Sequence, residues 1–119
     1  MNAAEDVLAA LADPTRRDLL DRLSRLGSAT ATTLASELPI SRQAVVQQLA
    51  VLDAVGLVTA TRAGRERRFE VQTRRLSETA RWMDGLAVQW DQRLATIRRI
   101  AEAGDDDPAA EDANATATK

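Results

Sequence analysis

Apolar residues recur three and four positions apart along most of this chain, with one interruption near the middle. Ala4, Val7, Leu8 and Leu11 share one side of a helix over about residues 3–11. Leu19, Leu20, Leu23 and Leu26 give a second helix its buried stripe. Asp13 is placed to cap that helix, Pro14 suits its first turn, and Gly27 supplies its stop. A third, shorter helix runs from about Ala31 to Leu38, with Thr30 as its cap and Leu34, Ala35 and Leu38 inward. Pro39 and Ile40 make a turn, and a fourth helix starts at Ser41. The Ser41 hydroxyl can cap the N–H of Gln43 or Ala44, and Ile40 can staple onto Val45. Two helices joined by so tight a turn read as a helix-turn-helix.

After Gly56 the period drops to two. Val58 and Ala60, then Phe69 and Val71, alternate with polar residues, and the turn glycine Gly64 lies between them. The hairpin carries four arginines at or near its tip: Arg62, Arg65, Arg67 and Arg68. A two-stranded hairpin is marginal alone and must lean on the helices. The expected fold is therefore mainly α with a small β-hairpin, a winged helix-turn-helix.

The last element, over residues 75–103, is a long helix. Leu76, Ala80, Met83, Ala87, Trp90, Leu94, Ile97 and Ala101 follow each other at alternating spacings of four and three, a heptad seam. Trp82, Leu86 and Ile100 widen its apolar face. A chain of this size has little core left to cover so broad a face. The seam from Leu76 to Ile97 thus predicts a homodimer held by the long C-terminal helix, with the N-terminal helix alongside. The competing arrangement folds that helix back on the chain's own core.

The fourth helix has an unusual outer face. Stepping roughly 100° per residue from Val45, the residues Val45, Leu49 and Leu52 line an inner stripe while Gln43, Val46, Gln47 and Ala50 point away. Charged residues make up 29% of the chain, so a solvated face should carry Arg, Asp or Glu. This face carries two amides, an isopropyl group and a methyl. Gln can form a bidentate pair with adenine, and small apolar groups contact the thymine methyl, so the face suits the major groove of DNA. Burial against protein on both sides is the alternative.

Charge sharpens the choice. The formal net charge is −2, yet residues 1–104 hold 15 Arg against 13 acids, and residues 41–75 hold seven Arg against three acids. Arg42 on the flank of the fourth helix, and Arg62, Arg65 and Arg67 in the hairpin, suit phosphates or the minor groove. Ser41 and the helix start beside it can hold a phosphate too. The segment from 105 to 119 has five acids, one Lys and no large apolar residue; it reads as a disordered acidic tail after a domain over 1–104.

The 119 residues contain no Cys and no His. Disulfides, thiolate sites and imidazole sites are therefore ruled out, and the remaining carboxylates are hard oxygen ligands that bind transition metals poorly. No metal, cofactor or catalytic residue is expected, since nucleophile–base pairs and glycine-rich phosphate loops are missing as well. No apolar run is long enough to span a membrane, and the acidic N-terminus is unlike a signal peptide, so a cytoplasmic protein is expected.

The blocks "LADPTRRDLLDRL", "LASELPISRQAVVQQLAVLDAVGLV" and "RAGRERRFEV" together resemble the ArsR/SmtB family of bacterial winged-helix repressors. The resemblance covers roughly residues 5–103. With "RWMDGLAVQWDQRL" in the last helix, the chain looks like the branch without metal-site residues. It implies a dimer that binds inverted repeats in double-stranded DNA, with the fourth helix as recognition helix and the hairpin as wing. Relatives commonly have Ser, His and Lys where this chain has Val46, Gln48 and Ala50, so the operator cannot be borrowed from them. An aromatic common in the second wing strand is Arg68 here, which adds charge near the DNA backbone. Control would come from an unknown organic ligand, with a cleft near Trp82 or Trp90 as its place, from a protein partner or from abundance. The rival function is a winged-helix module for protein–protein contact.

Overall fold

The first four helices each begin on a side chain that accepts a hydrogen bond from the helix's own first turn. Asn2 Oδ1 accepts from the Glu5 N–H at 2.8 Å and opens α1 (Ala3–Leu11). Asp13 Oδ1 accepts from Thr15 at 2.8 Å and opens α2 (Pro14–Leu26). A two-residue strand, β1 (Ala29–Thr30), leads into α3 (Ala31–Glu37), whose cap Thr30 accepts from Thr33 at 3.2 Å. Ser41 Oγ accepts from Ala44 at 3.1 Å and opens α4 (Arg42–Ala54). The hairpin of β2 (Val58–Ala63) and β3 (Glu66–Val71) turns at Gly64, whose φ of 65° is left-handed, and α5 (Arg74–Ala103) follows. This computed structural model describes residues 2–104; the tail expected over 105–119 lies outside them.

The sheet has three strands rather than the expected two, in the antiparallel order β1-β3-β2. Ala29 pairs with Phe69 and Thr30 with Arg68. Two residues are too few to show an alternating pattern; only their pairing with β3 makes them a strand.

One core cluster unites these elements. Val7, Leu19, Leu23, Leu34, Val45, Leu49, Leu52, Leu57 and Val58 are at most 1% exposed, and Phe69 closes the cluster from the sheet. Each such side chain contributes about 1.5–3 kcal/mol by leaving water. Leu57 earns its place through its backbone as well. Its N–H donates to the Leu52 carbonyl at 2.9 Å, and its own carbonyl accepts from Gln72 at 2.8 Å, joining α4 to both hairpin strands. Gly56 precedes it with φ 80°, a conformation that favours glycine. Leu26 corrects the expected stripe of α2. Its angle on the helix is right, but it lies in the last turn and is 43% exposed.

By packing, the described chain divides after Trp82. The first unit holds the sheet and the core. In the second, Met83, Val88, Trp90, Leu94, Ile97 and Ile100 are 50–68% exposed. Leu76, at the start of the seam, packs against the core cluster of the first unit.

Candidate nucleic-acid interface

The burial of α4 follows from its period. Val45, Leu49 and Leu52 are at most 1% exposed, while Gln43, Val46, Gln47 and Ala50 are exposed. Among the described residues, the outer face is thus not buried against other elements. Arg42, in the first turn, has its Nε donating to Thr32 Oγ1 at 3.1 Å, which ties the start of α4 to the start of α3. Ser41 is exposed and spends its hydroxyl on the cap.

A groove of about 620 Å³ runs between these helix starts and the wing. Its walls include Thr30–Thr33, Arg42, Val46, Arg65, Glu66, Arg67 and Phe69. The fold therefore brings Arg42, Val46, Arg65 and Arg67 to one place, four of the residues singled out from the sequence. Arg62 stands apart from that groove, in a smaller cleft with Ala60, Thr61 and Arg67. The hydroxyls of Thr32 and Thr33 and the carboxylate of Glu66 were not legible as site residues. Thr32 and Thr33 come to the groove because packing α3 on α4 sets the first turns of these helices side by side, and Glu66 comes with the start of β3.

The hairpin register puts two like charges opposite each other. Arg62 is the direct cross-strand partner of Arg67. Like charges in that position destabilise a sheet unless an anion lies between or above them. Arg67 gains one local compensation, its guanidinium standing 5.4 Å from the centre of the Phe69 ring. Both arginines are otherwise exposed and make no ion pair within 4 Å among the described residues.

Arg68 behaves differently from its neighbours, because its guanidinium is held within the fold. Its Nε donates to Ser28 Oγ at 2.9 Å and its Nη2 to the Ser28 carbonyl at 3.0 Å. Its Nη1 pairs with Glu66 at 3.2 Å. This guanidinium fastens β3 to the residue before β1 and has few donors left for a ligand.

Among the described residues no group of three or more Asp or Glu side chains is arranged to hold a metal ion. No helix among them is long and apolar enough to cross a membrane. Three clefts stand out in the first unit, and neither Trp82 nor Trp90 lines any of them.

Known proteins share this arrangement. A helix-turn-helix domain family model matches residues 11–60, from the end of α1 to the first half of β2. The HTH-type transcriptional regulator Rv2034 of Mycobacterium tuberculosis is 34% identical over 98 residues, covering 82% of this chain and 88% of that protein. The transcriptional repressor SdpR of Bacillus subtilis is 31% identical over 89 residues, covering 75% of this chain and 98% of that one. Among solved structures, an ArsR-like transcriptional regulator from Rhodococcus sp. RHA1 matches with a TM-score of 0.75 and 41% identity. It covers 82% of this chain and 92% of that one. These are regulators of transcription and not enzymes. With its capped helix-turn-helix, its arginine-bearing wing and relatives of this length and likeness, the chain belongs to the ArsR family of winged helix-turn-helix transcriptional regulators.

Proposed function

We propose that this DNA-binding regulator is a homodimeric repressor of its own or neighbouring genes, recognising an inverted repeat and indifferent to metal ions. In this reading α4 enters the major groove. Gln43 and Gln47 meet adenine edges, and Val46 and Ala50 meet thymine methyls. Ser41 and Arg42 at the helix start, with Arg62, Arg65 and Arg67 in the wing, hold the phosphate backbone. The α5 seam of Ala80, Met83, Ala87, Trp90, Leu94 and Ile97, rooted at Leu76, meets its copy about a two-fold axis with α1 alongside. Two recognition helices so related reach successive major grooves about 34–36 Å apart.

The observation that carries the DNA contact is the pairing of Arg62 with Arg67 in the hairpin register beside the exposed, uncharged face of α4. Such a wing is electrostatically unfavourable alone and favourable against a polyanion. The dimer is supported by the exposed Met83, Trp90, Leu94 and Ile97. Repression is supported by the similarity to SdpR, which is itself a transcriptional repressor. Absence of His and Cys from the sequence supports control by an organic ligand, a protein partner or abundance rather than by a soft metal.

The test uses duplexes selected by the chain from a random pool, read by gel shift. Gln47→Ala should lose about 1–3 kcal/mol at one or two operator positions and leave binding to random duplex nearly unchanged. Arg65→Ala should weaken both together and flatten the salt dependence. An unaltered base preference in Gln47→Ala would show that another face reads the DNA.

A further inference from the structure

Gln48 follows Gln47 on α4, yet its side chain is committed to the protein. Its Oε1 accepts from Arg16 Nη1 at 3.1 Å. Arg16 itself is held from several sides, and its side chain is only 19% exposed. Its Nε donates to the Ala10 carbonyl at 2.7 Å, and Nη1 lies 3.3 Å from Asp13 Oδ2. The sequence "ALADPTRR" accounts for the first of these bonds. In a continuous helix the Ala10 carbonyl would accept from the residue four positions on, but that residue is Pro14, which has no N–H. Arg16 supplies the missing donor. One guanidinium thus joins the end of α1, the cap of α2 and the side of α4.

The opposite flank of α4 is tied as well, by Arg42 to Thr32 at 3.1 Å. Between the two ties lies the exposed face with Gln43 and Gln47. The inner contacts of Val45, Leu49 and Leu52 are apolar and non-directional, so they resist withdrawal of the helix more than rotation about its axis. Hydrogen bonds are directional and oppose that rotation. Rotation is what decides whether an amide meets a base edge, because bidentate pairing needs both of its atoms in line.

We infer that Arg16 and Gln48 are positioning residues for base reading: they set the rotation of α4 and link it to α1, and neither touches DNA. The inference rests on the reading of α4 as the recognition helix. It predicts a specific pattern across three variants. Gln48→Leu removes the acceptor, Arg16→Met removes the donor, and Gln48→Glu keeps an acceptor toward Arg16 while adding a negative charge.

The experiment measures fluorescence anisotropy of the full chain and its variants on two probes, a duplex selected by the unaltered chain and a random duplex. Thermal melting of each variant verifies folding. Gln48→Leu should bind the selected duplex more weakly by roughly tenfold, the lower end of what one lost hydrogen bond to a charged group is worth, with binding to the random duplex unchanged. Arg16→Met should show at least that loss, and adding Gln48→Leu to it should cost no further selectivity. Gln48→Glu should retain selectivity, since the carboxylate restores the tie. Should Gln48→Glu bind both probes more weakly than Gln48→Leu, the side chain faces phosphates and the inference is overturned. Undiminished selectivity in a folded Gln48→Leu overturns it too, with the recognition-helix reading left standing. If the unaltered chain selects no duplex over random DNA, both readings fall.

Discussion

Replacing Arg68 with Met separates a structural arginine from a DNA-contacting one. Met keeps most of the aliphatic stem and removes the guanidinium, so three interactions are lost: two hydrogen bonds to Ser28 at 2.9 and 3.0 Å, and the ion pair with Glu66 at 3.2 Å. Hydrogen bonds to a charged group are worth about 1.5–3 kcal/mol each when water is kept out. The Arg68 side chain is 37% exposed and Glu66 59%, so water replaces part of what is lost, and the ion pair itself contributes about 0–1 kcal/mol. The sum falls to about 1–2 kcal/mol of folding stability. In a domain of this size that lowers the melting temperature by roughly 5–15 °C. Loss should begin at β1, whose two residues are held to the sheet only by pairing with Phe69 and Arg68. Melting followed by far-ultraviolet circular dichroism gives the first readout. Binding to random duplex across a salt series, below the melting range, gives the second. A phosphate contact would lower the slope of log affinity against log salt by about 0.9. The expected result is a lower melting temperature with an unchanged slope. An unchanged melting temperature with a slope reduced by about 0.9 would refute the structural role.

Gly56→Ala should destabilise the fold by about 1–2 kcal/mol in urea denaturation, because φ is 80° there and an added Cβ would stand 2.9 Å from Arg75 Cγ. Adding Arg75→Ala should recover only the contact part; a neutral Gly56→Ala would show that this turn can relax. Replacing both Ala87 and Leu94 with Glu should convert a micromolar dimer to monomer in sedimentation, by setting like charges across the proposed seam. A monomer from the unaltered chain at that concentration would remove the dimer from the proposed function. Zinc, cadmium, arsenite and copper at micromolar levels should leave DNA affinity unchanged in gel shifts, and release reversed by a chelator would contradict metal-independent control.

Local chemistry was legible without coordinates. The caps Asp13, Thr30 and Ser41 lie where the residue types demand, because a capping bond closes within three residues and needs nothing from the rest of the chain. The inner stripe of α4 and the bounds of the hairpin follow likewise from period and from the turn glycine, Gly64. The match of three blocks to one family extended this local reading to a fold. Long-range pairing was not legible. β1 exists only because Phe69 and Arg68 lie beside it, some forty residues later in the chain. Arg68 looks like its neighbours Arg65 and Arg67 in the sequence, yet Ser28 takes it out of their company. Gln48 looks like Gln47, and the difference between them is Arg16 on another helix. The expected inward Leu26 stayed exposed for the same reason, since a helix period states which way a side chain points and not whether anything meets it. Side-chain type and period are properties of neighbouring residues, whereas the partner of a guanidinium or an amide depends on which distant segments packing has brought within 3 Å.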